Sequence, residues 1–198
     1  LASQPKPSPA HLLRTYSLGP THELRVDTGA YDLFEAIVLS GAGTGSDDEG
    51  FVFTGPTSST RTALLRHALP SSRSVLELDD ADFVTLAHMT LQSGTRGLWA
   101  YNGSTSFTGR YLTIPSPTDA GVYLEGGSSA VSLDHLVITN SGGHGVFVEG
   151  TLGSLTNSIV SGSRGDGVLL IEPGTTAIER NEIFENLGNG ITVRNHGV

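Results

Sequence analysis

From Leu76 onward, apolar and polar residues alternate in short bursts divided by glycine-rich turns, and the bursts recur. Five follow one template: "LELDD" from Leu76, "LWAYN" from Leu98, "VYLEG" from Val122, "VFVEG" from Val146 and "VLLIE" from Val168. A sixth, "ITVRN", starts at Ile191, and the steps between first residues are 22, 24, 24, 22 and 23. A second series, "VTLAHMTL", "FTGRYLTI", "VSLDHLVI", "GSLTNSIV" and "TAIERNEI", keeps the same rhythm. Its residues Met89, Leu112, Leu136, Ser158 and Asn181 are 23, 24, 22 and 23 apart. "FVFTG" from Phe51 and "LRVDT" from Leu24 extend the first series backward with looser spacing.

Alternation with a period of two marks strands that bury one face. A repeat of this length with no helical segment between strands describes one turn of a parallel β-solenoid, whose inner face is hidden only by stacking. The expected fold is therefore all-β, a right-handed parallel β-helix of about seven or eight coils. The inward columns read Leu76, Leu98, Val122, Val146, Val168, Ile191 and Leu78, Ala100, Leu124, Val148, Leu170, Val193. Each apolar place, fully buried, contributes roughly 1.5–3 kcal/mol.

Composition agrees: 26 Gly among 198 residues, with charged residues at only 16%. The net charge of −9, with Lys6 as the single lysine, argues against nucleic acid or an anionic membrane as partner. No apolar run reaches the length of a membrane span. The absence of Cys excludes disulfides and thiolate metal sites.

At the stretch "IERNEIFENLGNGITV" the sequence resembles the right-handed parallel β-helix repeat proteins of the pectin-lyase-like group, over about residues 24–198. The resemblance implies a secreted or cell-surface module of a larger bacterial protein. Such coils often stack Asn at the turn after the second strand. Here Asn181 alone does so, while Met89, Leu112 and Leu136 are apolar, so an internal Asn ladder is not expected.

Residues 1–20 read as a Pro-rich lead-in followed by a short amphipathic capping helix in "PAHLLRTYSL"; residues 21–198 form the β-helix. "ITVRNHGV" stops in the middle of a turn, which suggests an open C-terminal end belonging to a longer protein.

Three short motifs invite functional readings. Arg164-Gly165-Asp166 is the adhesion tripeptide, but Asp166 and Gly165 fall in the turn column "TRG", "DAG", "GHG", "GDG", "GNG", where Asp, Asn and Gly suit tight turns. "GHG" at His144 is a catalytic element of polygalacturonase-type hydrolases. Their Asp pair is reduced here to Asp119, and no Arg-x-Lys follows. "RHALPSSR", with Arg66, Pro70 and Arg73, is a displaced version of the Arg-Pro-Arg element of pectate lyases.

The outward positions carry the candidate chemistry. One column reads Glu77, Trp99, Tyr123, Phe147, Leu169, Thr192, and the next Asp79, Tyr101, Glu125, Glu149, Ile171, Arg194. Parallel strands stack about 4.8 Å apart, so Trp99, Tyr123 and Phe147 form an aromatic strip with Tyr101, Glu125 and Glu149 alongside. Rings beside carboxylates suit sugars, whose C–H faces stack while hydroxyls hydrogen-bond. In the resembled group polysaccharide commonly lies on this face. The structural alternative is a strip covered by further chain or a partner subunit. Glu125 and Glu149 on adjacent rungs repel unless solvent, a shared proton or Ca²⁺ relieves them; Asp47, Asp48 and Glu49 form a second oxygen-rich loop. No other cofactor is implied. On the second strand's outer face Arg110 and Asp134 are expected to pair across adjacent rungs.

Three functions fit these residues: a structural scaffold able to bind polysaccharide, part of a polysaccharide lyase, epimerase or hydrolase, and an adhesion or protein-interaction module. Lyase chemistry needs a base and a group that neutralises the developing enolate. Near the strip only Glu125, Glu149 and Tyr101 present themselves, with no lysine, so the enzyme reading is the weaker.

Overall fold

A computed structural model describes residues 8–41, 48–57, 62–68 and 73–195. Every strand pair among them is parallel, and the strands form two sheets. The seven-stranded sheet stacks Ile37–Ser40, Leu76–Asp79, Leu98–Tyr101, Val122–Leu124, Val146–Val148, Val168–Ile171 and Ile191–Arg194 in chain order. The twelve-stranded sheet carries the second series. Parallel neighbours separated by one sequence repeat define a β-helix, and its coils stack in the register read from the sequence. Glu77, Trp99, Tyr123, Phe147, Leu169 and Thr192 are partners on successive rungs.

Two details differ from expectation. Five regular turns separate Leu76 from Ile191, fewer than seven or eight. The strands at Phe51 and Leu24 belong to the other sheet: Glu23–Arg25 pairs with Val52–Thr54, which pairs with Thr85–Ala87. The true earlier member of the first series is Ile37–Ser40, where Ile37 pairs with Leu76, a step far longer than the repeat. A long excursion between the two strands breaks the period there, so spacing alone misassigned the segment.

The second strand is also more articulated than one extended run. After Val131 it is broken into pairs such as Val131–Asp134 and Val137–Thr139, divided by a residue in the left-handed region. His88, Tyr111, His135, Asn157 and Arg180 hold φ of 56°, 53°, 52°, 50° and 55° at this bend. A non-glycine residue there costs of order 1 kcal/mol, offset by the inter-coil hydrogen bonds that the bend preserves.

The core is a filled cylinder of Leu, Val, Ile and Phe, among them Leu76, Leu98, Val122, Val146 and Val168. Near the C-terminal end the same columns open: Ile191 and Val193 are exposed. The helix Pro9–Thr15 starts at Ser8, whose hydroxyl accepts from the His11 N–H, and has Pro9 in its first turn. It buries Ala10 and Leu13 in the core and packs against Ile37–Ser40.

The turn glycines serve close packing rather than unusual dihedrals. Gly97, Gly121, Gly145 and Gly167 are absent from the positive-φ glycines. A Cβ on Gly121 would lie 2.6 Å from the Gly145 carbonyl oxygen, and the others meet the next coil in the same way. Polar groups inside the cylinder use the ladder as well. Asn181 accepts from the Ser158 N–H and donates to the Leu155 carbonyl, at 2.9 and 2.8 Å. Asn186 repeats the arrangement at Ser163 and Val160, a second internal Asn that the sequence did not reveal.

Candidate functional site: the aromatic face of the seven-stranded sheet

All six residues expected on this face, Trp99, Tyr101, Tyr123, Glu125, Phe147 and Glu149, are half-buried and adjacent. Strand alternation places them, since Leu98, Ala100, Val122 and Leu124 point into the core. The rings do not form a simple strip, however. Tyr123 stacks on Phe147 with centres 4.8 Å apart at 14°. Trp99 instead lies against Tyr101 of its own strand, 4.2 Å away and tilted by 30°. Leu169, further along the column, is buried.

Between Trp99 and Tyr123 stands a residue that sequence reasoning assigned only to a turn. The Arg96 guanidinium lies 4.7 Å from the ring centre of Trp99 and 4.7 Å from that of Tyr123. Two cation–π contacts hold it in place. The Arg96 Nε is 3.3 Å from Asp119 Oδ2 but off line for a hydrogen bond, so that contact is an ion pair only. The signal was present in the chain: Arg96, Ala120 and His144 each stand three residues before an aromatic of the column. Ala120 has no side chain long enough to block the reach of Arg96 across the coil boundary. His144 flanks Phe147 at 5.5 Å, and its Nδ1 accepts from the Asp166 N–H at 2.9 Å.

The two glutamates avoid one another by reaching back. Glu125 accepts from Trp99 Nε1 at 3.1 Å, and Glu149 accepts from the Tyr123 hydroxyl. Each carboxylate thus pins the aromatic of the preceding coil. Among the described residues no three His, Asp or Glu converge to hold a metal ion. In the acidic loop the buried Asp48 accepts from the backbone N–H groups of Leu18 and Ser40, a structural task. Asp47 lies outside the described residues.

The same surroundings fix the protonation of the phenols. Burial, with Asp79 and Glu77 beside it, pushes the Tyr101 hydroxyl well up from its ordinary value. Burial and the hydrogen bond to Glu149 do the same to Tyr123. Both phenols are thereby held in the protonated form, as hydrogen-bond donors. Burial also raises the Glu77 carboxyl.

The remaining motifs resolve structurally. Asp166 is buried, and its carboxylate accepts from the Asn189 N–H at 2.7 Å, so the adhesion tripeptide is closed to a receptor. Arg66 is bound to Asp32 at 2.6 Å, and Pro70 lies outside the described residues. Asp134 does not pair with Arg110; it accepts from Asn157, His135 and Thr156 instead, which holds its carboxyl down at about 2.

The sequence pattern of the family described as "Right handed beta helix region" matches residues 90–197. The chain belongs to this right-handed β-helix family. Among solved structures, the crystal structure of an alginate lyase from Paenibacillus sp. str. FPU-7 is similar, at TM-score 0.68 and 16% identity. The match covers 94% of this chain and 72% of that one, and at this identity it shows the fold alone. Among curated proteins none matches the sequence. Among the described residues no helix is long and apolar enough to cross a membrane.

Proposed function

We propose that this right-handed β-helix is an extracellular scaffold module that binds an acidic polysaccharide along the aromatic face. The observation that carries the reading is the state of Arg96. Its guanidinium is held by Trp99, Tyr123 and the ion pair of its Nε with Asp119, while its terminal NH₂ groups make no hydrogen bond among the described residues. A cation held in this way, with its NH₂ groups turned to no described residue, is preorganised for a second carboxylate beside Asp119, with little side-chain entropy left to lose. Phe147 and the rim of Tyr123 offer apolar surface for sugar C–H faces. That a β-helix of similar fold is an alginate lyase supports a uronic-acid polymer as the ligand class.

Eliminative cleavage on the same face is the second reading, favoured by that same neighbour. Against it, Tyr101 and Tyr123 hold their protons too tightly to abstract one, and Glu125 and Glu149 are engaged with the aromatic donors. Binding is therefore the stronger reading.

Affinity electrophoresis through alginate, polygalacturonate and a neutral glucan tests it. Retardation by the uronic-acid polymers, lost in Trp99→Ala/Tyr123→Ala/Phe147→Ala, is expected. Equal mobility in all gels removes the binding reading. A rise in ultraviolet absorbance from unsaturated ends during incubation would replace it with the lyase reading.

A further inference from the structure

The chain contains two Asn-Gly pairs, Asn102-Gly103 and Asn189-Gly190, and the coils hold them differently. An asparagine before glycine is the side-chain amide most open to attack by the following backbone nitrogen, because glycine has no Cβ to shield it.

Asn102 and Gly103 are the central residues of a type I′ turn that follows Leu98–Tyr101. Their φ values are 52° and 91°, and the Ser104 N–H donates to the Tyr101 carbonyl at 3.2 Å. Asn102 is exposed. Neither its carbonyl nor the Gly103 N–H hydrogen-bonds to a described residue. The peptide between them can therefore flip while Tyr101 and Ser104 stay in place. Only the bond from Asn102 Nδ2 to Asp79 Oδ1, at 2.8 Å, restrains the side chain.

Asn189-Gly190 is exposed as well, but its peptide is clamped. The Asn189 carbonyl accepts from the Gly167 N–H at 2.8 Å, and the Gly190 carbonyl from the Val168 N–H at 2.9 Å. The Asn189 N–H donates to Asp166 Oδ1 at 2.7 Å, and its Nδ2 to Thr192 Oγ1 at 3.1 Å. Turning this peptide breaks bonds between coils on both sides of it.

We propose that Asn102 is a site of spontaneous deamidation in the folded protein, with water as the only co-reactant. The Gly103 nitrogen gives up its proton and bonds to Asn102 Cγ. The Cγ–Nδ2 bond then breaks, and Nδ2 takes a proton to leave as ammonia. The cyclic imide that remains adds water at either carbonyl, which leaves an aspartyl or an isoaspartyl residue at position 102. Nothing is oxidised or reduced.

The product acts on the seam between coils. It removes the donor from Asp79 and sets a third carboxylate beside Asp79 and Asp80, whose Oδ1 lies close to Gly103. The isoaspartyl form also lengthens the backbone just before Ser104. That buried hydroxyl accepts from the Ala81 N–H at 3.1 Å and lies 3.0 Å from the Leu78 carbonyl, so it joins this coil to the one before. Deamidation loosens that joint. The inference does not depend on what the aromatic face binds.

The test is to hold the folded protein in mildly alkaline buffer made with oxygen-18 water, then digest it with trypsin in ordinary water for tandem mass spectrometry. Residues 97–110 form one tryptic peptide with Asn102 as its single asparagine, and residues 181–194 another that carries Asn189. Only conversion before digestion incorporates the heavy oxygen. Position 102 is expected to convert roughly tenfold faster than position 189 or more, the factor that two hydrogen bonds between coils impose. In guanidinium chloride the two rates are expected to converge. Conversion at 102 no faster than at 189 in the folded protein overturns the proposal. A ratio that persists in the denaturant overturns it too, because the neighbouring residues and not the fold would then set the rates. The converted fraction, more acidic and separable by anion exchange, is expected to melt below the unconverted protein. Equal melting temperatures would overturn the loosening of the seam.

Discussion

The guanidinium carbon of Arg96 stands 4.7 Å above the ring of Trp99, two residues within one coil, and reaches Tyr123 of the next coil at the same distance. Neither coil alone could fix the cation. Replacing Arg96 with Gln removes both contacts and is expected to cost about 0.5–2 kcal/mol of stability. It should also change the emission of Trp99 and abolish retardation in alginate gels. Chemical denaturation and fluorescence of the folded variant measure the first two effects. Unaltered retardation would separate Arg96 from ligand binding.

Glu77 is buried enough that its carboxyl titrates above its ordinary value of 4.5. A carboxyl raised in the folded state binds a proton more tightly there than in the unfolded chain. Its ionisation therefore destabilises the fold at neutral pH and has no effect below about pH 4, where both states are protonated. Glu77→Gln keeps an acceptor for its neighbours and is expected to raise the melting temperature at pH 7. The gain should vanish as the pH falls through 4; a gain that is independent of pH would mean packing, not charge, is responsible.

Tyr101 and Tyr123 make the opposite end of the pH range informative. The folded protein keeps phenolic protons that the unfolded chain releases near pH 10, so stability must fall as pH rises above about 10. The phenolate absorbance of these two residues is expected to appear together with loss of β-sheet circular dichroism. In Tyr101→Phe/Tyr123→Phe the alkaline loss should be shallower.

Gly121 faces the Gly145 carbonyl across a gap that admits no methyl group, and the Ile138 side chain crowds the same spot. Gly121→Ala is expected to destabilise the protein by about 1–3 kcal/mol through overpacking. Gly126→Ala, where the nearest atom is 3.2 Å away on an exposed turn, should cost less. Comparing the two by thermal unfolding separates coil spacing from a general loss of glycine.

The architecture was legible because period-2 alternation and a steady coil-length repeat are properties of the chain itself. Pairs such as Trp99 with Tyr123 followed from counting. Counting failed where the chain leaves the period, as between Ser40 and Leu76, and so placed Phe51 in the wrong sheet. Which residues share the aromatic face was likewise legible, but how they meet was not. Arg96 lies in a turn by sequence, and only the turn's direction carries its side chain over two coils. The stacking of Tyr111 between His88 and His135 was invisible for a similar reason. Alternation assigns a residue to the inside or the outside, whereas a left-handed bend sends it to neither sheet face.

That bend imposes one backbone conformation on His, Tyr, His, Asn and Arg in turn, so the fold there accepts side chains of very different chemistry. The edge is an addressable row, about one strand spacing per place, in which chemistry can be exchanged while the cylinder beneath is left alone. Asn tolerates this conformation best after glycine, so at His88, Tyr111 and His135 it is an uncharged reference against which the native group can be read. Selection, or an engineer, can write a sequence of functional groups along such a row at a pitch fixed by the stacked coils.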